Sequence, residues 1–283
     1  MTRIGIAAAL TATILLTAIP AAAQQRPLLT QDPETVGSGV VLVEGGFTYG
    51  HDIFFPASGL QGNLLQVPLV GVSVGISPIA EVQLDGGPYD RLAITNRVDA
   101  PLASLVTATG DKTHDVDDLV FATKIRILPE AAGRPAVGLR FATKLPNASN
   151  ESGLGLDTTD FHVQGLVGKT VQSIRIVGNL GLAILGDPTR GNNQNDDLDY
   201  GVSVARAIQQ GLEVVGEING RASTRSGTAP AGTESRAEMR LGGRLTRGTV
   251  RIDAGLILGM TSRDPSFGFT AGATWVFKAF TIQ

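Results

Sequence analysis

Apolar and polar residues alternate along most of this chain, in segments separated by turn-forming residues. Alternation with a period of two places successive side chains on opposite faces of a β-strand. The pattern is clearest between Asp115 and Pro188, where four alternating segments are separated by a tight turn, a long polar loop and a second tight turn. This rhythm predicts antiparallel hairpins of the kind found in membrane β-barrels.

The same pattern continues on both sides of this stretch and predicts about twelve strands in all. Pro68 lies inside the second strand and cannot donate a ladder hydrogen bond, so we expect a bulge or a phase shift there. Short turns near residues 77, 131, 170, 210 and 247 alternate with mostly longer polar loops near 56, 104, 151, 191, 228 and 263. That asymmetry is typical of outer-membrane barrels, whose short turns face the periplasm. The predicted strands are 38–49, 64–76, 79–87, 117–128, 135–146, 161–167, 174–184, 196–207, 212–219, 236–245, 250–258 and 266–279.

The fourth and fifth predicted strands carry charged residues on one face and apolar residues on the other. In the fourth strand, Phe121 and Ile125 alternate with Lys124 and Arg126. A soluble β-sandwich also shows alternation, but its dry core could not hold charged faces on consecutive hairpins. A closed barrel is favoured over the sandwich, since its inner face can be polar while its outer face contacts lipid.

The N-terminus has the features of a cleaved secretory signal: a positively charged start, an apolar run from Ile4 to Ile19, and small residues that end at Ala23. An anchor helix is the alternative, but the run is short and Pro20 precedes the small residues. Beyond it, no stretch offers the roughly 20 continuous apolar residues of a membrane helix. The formal net charge of -3 gives no reason to expect a nucleic-acid partner, and the absence of cysteine excludes disulfides and thiolate metal sites.

These observations predict an all-β protein, a transmembrane antiparallel up-and-down β-barrel of about twelve strands. Backbone groups in lipid must be paired internally, so the sheet has to close. Residues 1–23 are assigned to the signal peptide, 24–37 to a loose periplasmic lead-in and 38–283 to the barrel. The expected location is the cell outer membrane, with lipid, lipopolysaccharide and the barrel assembly machinery as partners.

Charged residues at inward positions form the candidate site. The basic ones on the fourth and fifth strands face the acidic ones on the ninth and tenth across the ring, and such opposed charges would orient polar solutes at a constriction. Alternatively, the arginines of the tenth strand pair with the glutamates along one wall and fill the interior. Inward apolar residues, namely Leu166, Val177, Val215, Ile257 and Val276, would add contacts for an aromatic solute. The predicted pore-lining residues are Lys124, Arg126, Arg140, Lys144, Glu213, Glu217, Arg236, Glu238 and Arg240.

Part of the chain resembles a known outer-membrane family. The shared pattern consists of the strand DDLVFATKIRILPE, a strand that ends in KLPN, the loop exit GLGLDTTDF and the strand IVGNLGLAILGDP. From about Asp117 to Gly220 the sequence is similar to the meta-pathway of phenol degradation proteins, often described simply as transporters. The resemblance implies a barrel and passage of small aromatic or apolar compounds, and it implies no catalytic residues. The ends of the chain match less well, and Gln283, not an aromatic residue, closes it.

Three other features suggest chemistry, but each has a simpler explanation. Gly165–Thr170 ends in GKT, yet it lies at a strand turn and not at the strand-to-helix junction of a phosphate loop, so Lys169 is interpreted as a polar turn residue. His51 and His114 fall in predicted loops, and His162 points inward, away from the lipid that a barrel lipase would attack. Two aspartate clusters at the outer ends of strands bind Ca²⁺ or bridge lipopolysaccharide, or are solvated loop edges. They are Asp115, Asp117, Asp118, Asp196, Asp197 and Asp199.

The sequence therefore predicts a passive channel or transporter for small molecules, aromatic and apolar ones included, with no enzymatic activity, metal site or cofactor. The main alternative is a structural or plugged barrel without flux. A lipid-active barrel enzyme is a third hypothesis.

Overall fold

The structure is a computed structural model that describes residues 26–281, and the strands in this range form one antiparallel sheet. The first strand pairs with both the second and the last, so the sheet closes into a barrel. The predicted signal peptide, residues 1–23, lies outside the described residues. The strands are β1 Val40–Phe55, β2 Leu60–Gly75, β3 Ala80–Gly86, β4 Asp90–Arg97, β5 Lys112–Asp115, β6 Val120–Leu128, β7 Ala136–Lys144, β8 Asp160–Val171, β9 Ile174–Gly186, β10 Gln194–Gln209, β11 Leu212–Ser223, β12 Arg236–Arg247, β13 Val250–Gly259 and β14 Phe267–Lys278.

The fourteen strands within residues 26–281 occupy twelve positions around the ring, because two positions are each shared by two strands in line. β2 pairs with β4 along its first half and with β3 along its second half. At the next position, β5 pairs with β4 and β6 pairs with β3. The prediction of a closed antiparallel barrel of twelve strands is confirmed. In the described part of the chain, no helix has the length and apolar character needed to cross a membrane.

The two faces of the sheet differ as the alternation predicts. On the outer face, Leu180 is 60% exposed and Leu256 is 62% exposed. On the inner face, the side chains of Lys124 and Glu81 are 0% and 1% exposed. An apolar exterior around a polar interior is the arrangement that a barrel needs when its outer surface contacts hydrocarbon.

The prediction from the sequence missed two strands, β4 and β5, which fall in the predicted loop near residue 104. Both are short, and each is separated from its neighbour in line by residues that break the alternation. β1 and β2 are also longer than predicted, so their connection shrinks to residues 56–59. As a consequence, His51 lies in β1 and His114 in β5, whereas we expected both histidines in loops.

The wall is interrupted where β3 meets β4 and where β5 meets β6, at residues 87–89 and 116–119. At the same level, Gly46 pairs with Leu69 but Thr48 pairs with Gln66, which leaves Phe47 opposite two residues of β2. This β-bulge confirms the one expected at Pro68. The interruption is bridged by the Asp117 N–H, which donates to the Gly87 carbonyl at 2.7 Å.

Short turns lie at the end of the barrel where β1 begins and β14 ends, and most of the longer loops lie at the opposite end. We call these the short-turn end and the long-loop end. At the long-loop end, the loop 145–159 folds back over the ring. The Ser58 hydroxyl donates to the Gly153 carbonyl at 2.7 Å, and the Thr113 hydroxyl donates to the Ser152 carbonyl at 2.8 Å. The loop therefore covers part of the barrel mouth.

Candidate functional site

The predicted pore-lining side chains of β6 and β7 lie on the inner face and bind close polar neighbours. Lys124 Nζ is 3.0 Å from Glu81 Oε1 on β3, and both side chains are buried. Arg140 Nε donates to Gln83 Oε1, also on β3, at 2.8 Å. Lys144, nearer the long-loop end, forms ion pairs with two aspartates. The positive charge of this wall is therefore balanced locally.

The predicted residues of β11 and β12 are also inward, and all but Arg236 pair with one another or with β13. Glu238 accepts hydrogen bonds from Arg240 Nε and Nη2 at 3.1 and 3.0 Å. Glu217 Oε1 lies 3.9 Å from Arg240 Nε, and Glu213 Oε2 lies 3.6 Å from Arg251 Nη2. Of the two hypotheses for these charges, the structure favours pairing along one wall over an unscreened field across the lumen.

Residues 26–37, which we call the inner segment, lie inside the barrel. The sequence predicted a loose lead-in over 24–37, and the described part of that range does not form one. The Glu217 carboxylate accepts hydrogen bonds from the backbone N–H groups of Leu29 and Thr30, at 2.7 and 2.8 Å, and from the Thr30 hydroxyl at 2.6 Å. The Asn179 amide accepts from the N–H of Gln31 at 2.6 Å and donates to its carbonyl at 2.8 Å. Inward side chains thus satisfy the backbone of a segment that has no strand partner.

Ion pairs fix the next part of the inner segment. Asp32 accepts two hydrogen bonds from Arg175, from Nε at 2.9 Å and from Nη2 at 2.7 Å. Glu34 pairs with Arg126, one of the predicted pore-lining residues. These fork-shaped and charge-assisted contacts are among the stronger hydrogen bonds in proteins. The inner segment is therefore attached to several strands of the ring.

Inward glycines make room for the inner segment. A Cβ added at Gly138 would lie 3.3 Å from Pro33 Cβ, and a Cβ added at Gly255 would lie 3.2 Å from Pro27 Cβ. Both distances are shorter than ordinary van der Waals contact between carbon atoms. Glycine inside a strand often marks the close approach of another piece of backbone, and here the approaching backbone is the inner segment.

Three adjoining cavities occupy the interior above and beside the inner segment. The mouth cavity has a volume of about 250 Å³ and lies beneath the long loops. The central cavity, of about 320 Å³, shares Arg221 and Arg236 with the mouth cavity. The basal cavity, of about 440 Å³, shares Leu29 and His162 with the central cavity. Together they form a series from the long-loop end to the inner segment.

An apolar depression, which we call the outer groove, lies at the interruption of the wall and has a volume of about 340 Å³. Exposed Leu84 and Val116 contribute to it from the outer face. Asp85, Gly86 and Asp117 line both the outer groove and the basal cavity. Single residues therefore separate the outer groove from the basal cavity where the hydrogen-bond ladder is interrupted. The apolar side chains of the outer groove are Val70, Val72, Leu84, Pro88, Val116 and Leu119.

No protein-family model matches this chain, and no curated protein matches it. Among solved structures, it is similar to the COG4313 outer membrane channel from Pseudomonas putida F1, with a TM-score of 0.62 and 13% identity over 87% of this chain and 98% of that one. The NanC porin gives a TM-score of 0.49 and 10% identity over 86% of this chain and 100% of that one. The translocator domain of the autotransporter NalP from Neisseria meningitidis gives 0.49 and 12%, over 86% and 89%. The fold is that of the outer-membrane β-barrels, and at these identities the similarity extends to the fold alone.

His162 points inward, as its position in the alternation predicts. Its Nδ1 lies 2.7 Å from Asp199 Oδ2, and Gln164 Nε2 donates to the same oxygen at 3.4 Å. Within residues 26–281, no serine or threonine hydroxyl forms a hydrogen bond with this histidine. The arrangement is a polar patch on the wall of the central and basal cavities.

The first of the two aspartate clusters, Asp115–Asp118, holds a loop at the long-loop end. Asp118 Oδ1 accepts from the backbone N–H groups of Asn147 and Ala148, at 2.9 and 2.8 Å. Asp115 Oδ2 accepts from the Ser149 N–H at 2.8 Å. These carboxylates therefore hold the start of loop 145–159 in place. The sequence suggested either a Ca²⁺ site or a solvated loop edge, and neither of these interpretations includes such a role.

At the short-turn end, Lys169 is held by the turn that follows β6, which agrees with its interpretation as a turn residue. It donates to the Ala131 carbonyl at 2.6 Å. In the same turn, partial burial opposes ionisation of Glu130, but hydrogen bonds from Thr170 and the charge of Arg175 lower the pKa of this carboxyl group below its ordinary value. Arg175 contacts both Glu130 and Asp32, so it connects the turn to the inner segment.

Sequence reasoning found the charged inner face but missed the inner segment that binds to it. Its anchors on β9, Asn179 and Arg175, read as ordinary inward polar residues of a strand. A usable signal was present in the glycines at inward positions, such as Gly138 and Gly255, because such positions leave space that something else must fill. A period-two pattern alone does not say what fills it.

Proposed function

We propose that this protein is an outer-membrane channel for the passive passage of small molecules, exported by its N-terminal signal and oriented with the short-turn end in the periplasm. The observation that carries the proposal is the series of three cavities that leads from the long loops to the inner segment. A barrel that served only as a membrane anchor would have no need of such a series. Five of the nine charged residues predicted from the sequence are among the residues that line these cavities, which supports the proposal: Arg140, Lys144, Arg236, Glu238 and Arg240.

The solute class that we propose is small aromatic or apolar molecules, as the resemblance to the meta-pathway of phenol degradation proteins implies. The outer groove supports this class, because its surface is apolar and residues such as Asp117 separate it from the basal cavity. An apolar solute that partitions into the membrane would reach the lumen through this part of the wall. A polar solute would enter through the mouth cavity.

A plugged barrel without flux is the second candidate, and the inner segment is the observation that favours it. Residues 26–37 make hydrogen bonds or ion pairs with β3, β6, β9, β11 and β14. If these contacts never open, the lumen has no continuous path to the periplasm. Channel function therefore requires the inner segment to move or to leave a gap beside it.

Conductance in planar lipid bilayers tests the proposal. We expect stepwise ion currents from the purified wild-type barrel, and larger steps from Glu217→Ala, because the inner segment loses the acceptor of three hydrogen bonds. Arg140→Ala should change the ratio of anion to cation current, since it removes a positive charge from the basal cavity. Absence of current from wild type and both variants, with the barrel still folded, would reject the channel and leave the plugged barrel.

Two controls belong with this experiment. Folding is checked by the shift in gel mobility on heating in detergent, which closed barrels show. Location is checked by fractionation of the envelope, in which the protein should sediment with outer membranes. Liposome uptake rates for an aromatic compound and for a sugar of similar mass would then test the solute class; equal rates would argue against a preference for aromatic molecules.

A further inference from the structure

Two arginines face each other where the mouth cavity adjoins the central cavity. Arg221 on β11 and Arg236 on β12 are register partners in the antiparallel ladder, and both line both cavities. Like charges directly opposite each other on neighbouring strands are unfavourable. Such a pair persists only where something compensates the repulsion.

Arg221 has its compensation within the protein. Its Nη2 donates to the Gly232 carbonyl at 2.7 Å and its Nε to the Glu234 carbonyl at 3.1 Å. Its Nε also lies 3.5 Å from Asp197 Oδ2. This guanidinium is therefore neutralised and held in one orientation.

Arg236 has no such set of partners. Among residues 26–281, no carboxylate lies within 4 Å of its guanidinium nitrogens, and no acceptor hydrogen-bonds to it. Its Nε is buried and lacks a hydrogen-bond partner. A donor of a charged group that is removed from water and left unpaired, here Nε, costs free energy, and arginine presents its donors in a planar fork that matches a carboxylate.

The acidic residues nearby are already engaged. Glu238 is bound by Arg240, and Glu234 lies 3.9 Å from Arg263. Asp264 Oδ2 accepts from the N–H and hydroxyl of Thr261 and from a backbone N–H of β12, so it holds a loop in place. Asp264 reduces the net charge around Arg236 without occupying its donors.

The mouth cavity offers an apolar surface beside these arginines. Phe55, Leu154, Leu156 and Leu185 line it, and its volume of about 250 Å³ is small for a ligand site. We propose that Arg236, with Arg221 opposite, binds the carboxylate of a small organic acid whose apolar body, the size of one aromatic ring, packs against these side chains. The inference deepens the proposed channel function by naming a solute class for the route through the mouth.

Calorimetric titration of benzoate into the purified barrel in a non-ionic detergent tests this site without requiring flux. Benzamide, which has the same shape and no charge, is the ligand control. We expect benzoate to bind and Arg236→Gln to weaken it about 10- to 100-fold, the range for loss of a charge-assisted hydrogen-bonding partner. Arg236→Lys should bind with intermediate affinity, because it keeps the charge and loses the fork.

Arg247→Gln is the matched control variant, since Arg247 is an exposed arginine at the opposite end of the same strand. It should bind benzoate as wild type does. Equal binding of benzoate and benzamide, or equal binding of benzoate to wild type and to folded Arg236→Gln, would overturn the site. Tighter binding of inorganic phosphate than of benzoate would overturn the ligand class. If Arg236→Gln fails to fold, the comparison of Arg236→Lys with wild type decides.

The outcome is separable from that of the channel proposal. Benzoate binding that depends on Arg236, in a barrel that passes no current, supports the site and rejects the channel. Benzoate uptake into liposomes at a rate that Arg236→Gln leaves unchanged supports the channel and rejects the site.

Discussion

The wall formed by β2–β6 and the wall formed by β8–β13 differ in how continuous their backbone hydrogen-bond ladders are. In the second wall the ladder is continuous over most of each strand, from the pairing of β8 with β9 to that of β12 with β13. In the first, β4 and β5 are separated from β3 and β6 by unpaired residues, and β2 bulges at the same level. We call them the interrupted wall and the continuous wall.

The difference shows in the role of the inward charges. In the interrupted wall, Lys124 and Glu81 form a fully buried ion pair between β3 and β6. In the continuous wall, Glu217 and Asn179 direct their polar atoms to the inner segment. Both walls use side chains to link strands and to bind the inner segment, since Glu81 and Arg126 also contact that segment and Arg240 approaches Glu217. What distinguishes the interrupted wall is that its linking ion pair is fully buried.

The largest expected effect is on the stability of the interrupted wall. Lys124→Met leaves the Glu81 carboxylate buried without its counter-charge, which typically destabilises a protein by about 3–5 kcal/mol. We expect a loss near the lower limit, about 3 kcal/mol, because the ammonium, though 3.0 Å from the carboxylate, lacks good hydrogen-bond geometry. Denaturant titration of the refolded barrel measures it.

Two variants control this prediction. Lys124→Met combined with Glu81→Gln removes both charges and should recover most of the loss. Arg240→Met in the continuous wall, where the arginine faces a cavity, should cost less than half as much. If Arg240→Met lowered the free energy of unfolding as much as Lys124→Met does, the proposed difference between the walls would be wrong.

The next effect concerns the inner segment. Glu217→Gln retains the shape of the anchor but removes the charge from three hydrogen bonds, a loss of about 1–2 kcal/mol in the attachment of the segment. The chain has no cysteine, so Leu28→Cys, which removes none of these three hydrogen bonds, gives a single buried site for a water-soluble maleimide. Labelling should be about tenfold faster in the Glu217→Gln background. Unchanged labelling would mean that Glu217 does not hold the segment in place.

A smaller effect is expected from closing the outer groove. A Cβ added at Gly86 would lie 3.6 Å from Leu119 Cα, within the reach of a disulfide. In the double variant Gly86→Cys, Leu119→Cys, oxidation should slow uptake of an apolar aromatic compound into liposomes severalfold, and a reductant should restore it. Ion conductance should not change, because ions use the mouth. If oxidation lowered both the uptake of the aromatic compound and the ion conductance, the two would share one path.

The smallest effect is the pH dependence of the turn that holds Glu130. Because hydrogen bonds and Arg175 lower the pKa of Glu130 in the folded protein, its contribution to stability is present above its ordinary pKa of 4.5 and disappears as the pH falls through the lower folded value. Glu130→Gln should flatten that part of the curve of unfolding free energy against pH. A wild-type curve that is already flat below pH 4.5 would contradict the assignment.

Much of the barrel could be predicted from the sequence, because alternation of Phe121 with Lys124 or of Leu180 with Asn179 reports directly which face each residue occupies. The inward direction of all nine charged candidates followed from the same rule. What the rule cannot give is the partner of each charge. Whether Glu217 binds an arginine, a solute or a backbone N–H depends on residues almost 190 positions away, such as Leu29.

The interrupted wall escaped prediction for a related reason. Gly87 and Pro88 break the alternation, and a break normally marks the end of a strand. Here the chain continues in line after the break, because β2 supplies a template that spans both pieces. Only tertiary pairing distinguishes such an interruption from a loop.

The position of the inner segment also predicts an order of assembly. Arg26 donates to the hydroxyl of Thr270 across 244 residues of sequence, and the N–H of Leu29 donates to Glu217 across 188. Those acceptors face the lumen only after the strands that carry them have joined the ring. We therefore expect the first described residues of the chain to be among the last to take their places, so that docking of the inner segment follows closure of the barrel.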